Sequence, residues 1–124
     1  MNHAQLYRGI EEINQQYFFE AHDTLEDLWH ETRGNDRKFV QGLIQVSVGF
    51  YHLLNRNYRG SASQFSKGLE KLHEYFPEHQ GVALEEFCKE VKKYREIAEQ
   101  GVRGEIVTVE EKDIPKLKIL NHHL

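Results

Sequence analysis

Apolar residues recur at helical spacing along most of this chain, and this pattern predicts five helices. Leu6, Ile10, Ile13 and Tyr17 follow one another at steps of four, three and four, which places them on one face of a helix. The first 76 residues contain no proline, so nothing in them must break a helix. Four further helices are predicted by the same spacing, over residues 17–33, 37–57, 60–76 and 84–101.

The pattern changes after Gly104, where apolar and polar residues begin to alternate. Residues 106–109 and 115–120 have the β-branched or alternating character of an extended chain. A chain of 124 residues has room for one hydrophobic core. We therefore predict an all-α fold, a five-helix antiparallel bundle-like single domain over residues 1–104, with an extended C-terminal arm, residues 105–124, packed on the bundle.

The second predicted helix carries two polar side chains inside an apolar stripe. On a helical wheel the apolar positions cover about half of the circumference. They are Phe18, Phe19, Ala21, Leu25, Leu28 and Trp29. His22 falls near the middle of that arc and Glu26 near one edge of it. A buried carboxylate and a buried imidazole each need hydrogen-bonding partners, so we expect a neighbouring helix to supply them.

The third predicted helix is apolar around most of its circumference, apart from one polar and uncharged stripe. That stripe consists of Gln41, Gln45 and His52. The short connection at residues 34–36, with Asp36 as the expected N-cap, makes the two helices an antiparallel hairpin. In this register Gln45 lies between the levels of His22 and Glu26, which predicts a buried polar network of the three side chains.

Two glycines, Gly42 and Gly49, flank the polar stripe of the third helix. Glycine in the middle of a helix costs on the order of 1 kcal/mol relative to alanine. Two of them on one side of the helix therefore predict that another backbone approaches closely there.

Metal binding is an alternative interpretation of His22 and Glu26. At positions i and i+4 they can supply two nitrogen or oxygen donors to one divalent cation from a single helix. His52 is the candidate for a third ligand, although the hairpin register places it about five residues, roughly 7 to 8 Å of rise, from the level of His22. The chain has no HExxH motif.

The amino-acid composition and net charge of the chain argue against several classes of function. Acidic residues number 20 and basic residues 16, a net charge of −4, which argues against nucleic acid as a partner and against an RNA-processing role. The longest apolar stretch, residues 42–54, is too short to span a bilayer. The single cysteine, Cys88, lies on an apolar stripe and is expected to pack in the core, and no signal segment opens the chain, so we expect a cytoplasmic protein.

Three sequence motifs resemble those of the bacterial and archaeal family called domain of unknown function 309. They are Phe18-Phe19-Glu20-Ala21-His22-Asp23-x-Leu25-Glu26-x-x-Trp29, Gln41-Gly42-Leu43-Ile44-Gln45 and Asn57-x-x-Gly60. The resemblance covers roughly residues 13–72. It implies a helical bundle and a set of motif positions, Glu20, His22, Glu26, Trp29, Gly42, Gln45 and Gly60. It implies no established activity.

Two functions therefore remain open. The first is a binding or interaction module, such as a homodimer, in which an enclosed polar network fixes the register of the helices. The second is a metal-dependent or acid/base hydrolase with Glu26 as general base or ligand and His22 as ligand or proton carrier, which requires an open pocket. The candidate network or ligand-binding residues are Glu20, His22, Glu26, Trp29, Gln41, Gln45 and His52.

Overall fold

A computed structural model describes residues 1–120 of the chain as an all-α fold, as the apolar periodicity predicts. Its five helices are α1 (His3–Asn14), α2 (Phe18–Glu31), α3 (Asn35–Leu54), α4 (Tyr58–His73) and α5 (Leu84–Val102). They pack in sequence, α1 on α2, α2 on α3, α3 on α4 and α4 on α5. The predicted starts and ends agree with these bounds to within a few residues.

Turns with left-handed backbone conformations separate the first helices. Gln16 has φ 65° between α1 and α2, and Gly34 has φ 71° immediately before α3. Because α3 begins at Asn35, Asp36 lies inside its first turn and is not the N-cap. The Asp36 carboxylate instead accepts hydrogen bonds from side chains that follow α4.

Helices α3 and α4 approach each other closely at a pair of glycines. A Cβ atom built on Gly68 would lie 2.9 Å from the carbonyl oxygen of Gly42, and one built on Gly42 would lie 3.3 Å from the carbonyl oxygen of Gly68. The expected backbone approach is confirmed at Gly42. At Gly49 the neighbour is the ring of Phe65, only 2.5 Å from a Cβ built there.

A small antiparallel sheet, which the apolar pattern did not predict, joins two strands from the α4–α5 connection to a third that follows α5. Its strands are β1 (Glu78–His79), β2 (Val82–Ala83) and β3 (Lys118–Ile119), in the order β1-β2-β3. The β1–β2 turn has positive φ at Gln80 (51°) and Gly81 (76°), the signature of a tight hairpin turn. The sequence predicts a turn at these two residues but no strands beside it.

The chain after Gly104 is only partly extended. Residues 105–110 have no helix or strand, a single 3₁₀ turn follows at Glu111–Asp113, and β3 joins the sheet. Ile114 and Leu117 belong to the hydrophobic core of the bundle. The Asn14 side chain holds the backbone of Leu117 by accepting from its N–H (2.7 Å) and donating to its carbonyl oxygen (2.9 Å). The division of the chain at residue 104 stays a prediction, and residues 121–124 of the predicted arm lie outside the described residues.

Among residues 1–120, none of the helices combines the length and the apolar character that crossing a bilayer requires.

Candidate functional site

The α2–α3 hairpin positions His22 at the surface, between two carboxylates of its own helix. The imidazole Nε2 lies 3.2 Å from Glu26 Oε2, and Nδ1 lies 3.2 Å from Asp23 Oδ1. His22 is half-buried, whereas 48% of the Glu26 side chain is exposed. The i, i+4 pairing expected of His22 and Glu26 is present, and it faces water.

The predicted enclosure of the His22, Glu26, Gln45 network is therefore wrong. Gln45 is half-buried, and its buried Oε1 has no hydrogen-bond partner among residues 1–120. The buried face of α2 is rotated away from Glu26, towards Thr24 and Leu25, because α1 covers that side. Gln5 of α1 donates to the carbonyl oxygen of Thr24 at 3.0 Å, and a Cβ built on Gly9 would lie 2.5 Å from Leu25.

An apolar cleft opens between α2 and α3 beside this ion pair. We call it the aromatic cleft, and its lining consists of Phe18, Phe19 and His22 from α2 with Val48, Tyr51 and His52 from α3. Its volume is about 150 Å³. Two residues of the cleft are exposed, Phe19 to 54% and Tyr51 to 40%, and their ring centroids lie 5.8 Å apart.

A second cleft, of about 190 Å³, lies on the other side of Phe19 and Tyr51. It is bordered also by Tyr17, which is 55% exposed. Six large apolar residues are exposed within residues 1–120, and three of them lie here: Tyr17, Phe19 and Tyr51. Together with the two clefts they form a surface that we call the aromatic face.

His52 lines the aromatic cleft together with His22, and the offset of about five residues between their levels stays a prediction. Its Nδ1 lies 3.4 Å from the side-chain amide of Asn57, just beyond the end of α3. The two imidazoles stand on facing helices of one cleft.

Three other predicted residues lie outside the cleft. Trp29 is half-buried, with the Arg37 guanidinium 3.8 Å from the centre of its ring. Its buried Nε1 has no hydrogen-bond partner in the described part of the chain. Glu20 is exposed on α2, and Gln41 is half-buried on α3. The structure does not bring these three side chains together with His22.

The side chains in the part of the chain that the structure describes are poorly arranged to bind a metal ion. There, no group of three or more histidine, cysteine, aspartate or glutamate side chains converges on one point. Asp23 and Glu26 approach different nitrogens of His22, so the two carboxylates diverge from a common centre.

Cys88 packs in the core, as its place on an apolar stripe predicts. It is fully buried, and burial raises the pKa of its thiol to about 12. A thiol that stays protonated is a poor nucleophile and a poor metal ligand.

The sequence did not identify the exposed rings of the aromatic face. Phe18 and Phe19 are adjacent residues about 100° apart on a helix, so one of them can point into the core while the other lies at the edge of the buried face. Phe18 stacks on Phe50 at 5.1 Å, and Phe19 is left at the surface. The adjacent aromatic pair is the signal that could have indicated an exposed ring.

Comparison with known proteins supports the resemblance seen in the motifs. No curated protein matches this chain. Residues 6–64, which contain most of α1, all of α2 and α3 and the beginning of α4, match the model of a family described as a domain of unknown function, DUF309. This segment contains both helices of the aromatic cleft. Over residues 6–64 the chain is therefore similar to the domain of unknown function 309 family.

Proposed function

We propose that this protein is an interaction module whose aromatic face binds a second copy of the chain. The observation that carries the proposal is the clustering of exposed Tyr17, Phe19 and Tyr51 around two clefts on the α2–α3 surface. Exposed aromatic clusters of this kind typify protein interfaces, where aromatic side chains supply most of the binding energy.

The size of the aromatic cleft favours a side chain as its occupant. Small-molecule sites measure about 300 to 1,000 Å³. The aromatic cleft measures about 150 Å³, and a cavity of about that size holds one benzene-sized ring. One aromatic side chain of a partner therefore fills it.

A second copy of the chain supplies such a side chain at the right place. The rings of Phe19 and Tyr51 project between two ring-sized clefts, so projections and hollows alternate on one surface. A two-fold dimer requires a surface that is complementary to itself. The ring of Phe19 from each protomer can then enter a cleft of the other.

Substitution of Phe19 tests this proposal by sedimentation equilibrium over a range of protein concentrations. We expect the unmodified protein to dimerise and Phe19→Ser to weaken the dimer by about thirtyfold in Kd, since a central aromatic anchor contributes about 2 kcal/mol or more. The matched control is Val102→Ser, because Val102 is an exposed apolar residue on α5, away from the aromatic face. An unmodified protein that stays monomeric, or a Phe19→Ser dimer of equal Kd, contradicts the proposal.

Metal binding at His22 and Glu26 is a second proposal, favoured by the 3.2 Å contact between these two side chains. The residue types suit a divalent cation such as zinc. Elemental analysis of protein purified without a metal column, compared with His22→Ala, tests it. Metal bound by the parent and lost from the variant supports this proposal, and a parent without metal contradicts it.

The cytoplasm is the compartment that we propose for this protein. The single cysteine, Cys88, is a free buried thiol, which suits a reducing compartment.

A further inference from the structure

Residues 105–110, which we call the exposed segment, connect α5 to the 3₁₀ turn. Side chains alternate along it, with Val107 and Val109 half-buried and Thr108 exposed between them. Ile106 is 99% exposed, which is rare for an apolar residue of its size. The segment thus has the two-faced character of a strand without belonging to the sheet.

The backbone of the exposed segment is open to a partner. Within residues 1–120, the N–H and C=O groups of residues 106–109 make no hydrogen bond to another part of the protein. A row of unpaired backbone groups on an extended chain is a template for a further strand. The run Ile-Val-Thr-Val is also rich in the residue types that strands favour.

Both ends of the exposed segment are held in place. Before it, the N–H of Glu105 donates to the carbonyl oxygen of Gln100 at 3.0 Å. After it, Gln16, in the turn between α1 and α2, donates from Nε2 to the carbonyl oxygen of Glu111 at 2.7 Å. An incoming strand would meet a chain that is already positioned, which lowers the conformational entropy lost on binding.

We propose that the exposed segment binds, by strand addition, an extended segment of another protein that alternates apolar and basic residues. Main-chain hydrogen bonds supply the affinity in this mode of recognition, and alternate side chains supply the specificity. The exposed segment contributes no residue to the two clefts of the aromatic face, although Leu54 borders both surfaces.

The charged residues of the exposed segment indicate which kind of strand can bind it. Glu110 and Glu111, both exposed, stand at the end of the exposed segment that precedes the 3₁₀ turn, whereas Glu105 at its beginning is paired with Arg103 at 2.7 Å. Antiparallel pairing of this segment with itself offers no basic residue within residues 105–111 to face Glu110 and Glu111, and like charges opposite one another destabilise a strand pair. A strand that carries lysine or arginine at those positions is complementary.

A synthetic heptapeptide of alternating lysine and valine tests the proposal, with a glutamate and valine heptapeptide as the charge control. We expect the basic peptide to bind, as measured by fluorescence anisotropy, and to slow hydrogen exchange at the amides of residues 106–109. We expect the affinity of the acidic peptide to be lower by about tenfold or more. No binding of the basic peptide, or equal binding of both peptides without slowed exchange, overturns the proposal.

Proline substitutions provide a matched pair of variants. Successive N–H groups of an extended chain point to opposite edges, so Val107→Pro and Thr108→Pro each remove a donor from a different edge. We expect one of them to weaken the binding of the basic peptide by about tenfold and the other to leave it unchanged. Circular dichroism checks that both variants fold. Two folded variants that both bind as tightly as the unmodified protein overturn the proposal.

Discussion

At the scale of single residues, Asp36 ties the first turn of α3 to the β1–β2 hairpin. Its Oδ1 lies 2.7 Å from His79 Nε2 and accepts from Gln80 Nε2 at 3.1 Å. The ring of His79 lies between those of Phe39 and Tyr75, with centroids 4.8 and 4.7 Å away. The position of Asp36 in the first turn also places a negative charge where the helix dipole favours one.

The pKa of Asp36 gives this contact a pH dependence. Partial burial raises the pKa, but hydrogen bonds from His79 and Gln80 and the charge of His79 outweigh burial and hold the pKa below the usual 3.8. The folded-state pKa lies below the unfolded one, so the contact stabilises the fold above pH 3.8 and this contribution is lost as pH falls through the folded-state pKa. We expect Asp36→Asn to lower the free energy of unfolding by about 1 to 2 kcal/mol near neutral pH.

Chemical denaturation at a series of pH values checks this prediction. The difference in unfolding free energy between the unmodified protein and Asp36→Asn should shrink as pH falls below 3.8. Asp27→Asn is the control, since Asp27 is exposed on α2 and makes no ion pair within the described part of the chain. A difference for Asp36→Asn that is independent of pH would show that the carboxylate charge plays no part.

The sequence predicted which side chains contact each other better than it predicted which side chains are exposed to solvent. The spacing of His22 and Glu26 correctly indicated that the two side chains meet. A helical wheel does not reveal which neighbouring helix covers which side, and here α1 covers the Thr24 side of α2. The buried face therefore lies away from Glu26 and Phe19, and the side chains expected in an enclosed network lie at an open cleft.

At the scale of elements, the close packing of α3 on α4 depends on glycine. A Cβ on Gly68 would lie 2.9 Å from the Gly42 carbonyl oxygen and 2.9 Å from Val46 Cγ2. Alanine gains about 1 kcal/mol in helix propensity, whereas crowding in a packed core costs about 1 to 3 kcal/mol. Because one neighbour is backbone, which does not move aside like a flexible side chain, crowding should outweigh propensity.

We expect Gly68→Ala to lower the free energy of unfolding by about 1 to 2 kcal/mol, as measured by urea denaturation. Ser66→Ala is the control on the same helix, because Ser66 is exposed and its change should stay within about 0.5 kcal/mol. A Gly68→Ala protein as stable as the unmodified one would mean that the two helices separate at little cost.

Element prediction succeeded for the helices and missed the sheet for a physical reason. Each helix repeats its apolar spacing over three turns or more, whereas each strand has only two residues, too few to show an alternation. β3 is fixed by tertiary pairing of Ile119 with Val82, whereas β1 pairs with β2 across a local turn, His79 with Val82. The local signals were the turn at Gln80 and Gly81 and the alternation over residues 115–120, which predicted extended chain there.

At the scale of the whole molecule, the sequence predicts one helical core and leaves the functional surface open. The core depends on apolar periodicity, which is a local property of each helix. The aromatic face depends on the relative rotation of α2 and α3, which packing against α1 and α4 determines. A surface of this kind therefore becomes visible only once the helices are assembled.

Amide NMR spectra of the unmodified protein in a dilution series test most directly whether the aromatic face is a dimer interface. We predict that resonances of residues 17–22 and 48–52, the segments that contain most of the residues lining the two clefts, shift as the concentration rises. Resonances on α5 should stay constant. Spectra that do not change with concentration, or changes confined to α4 and α5, would contradict the account.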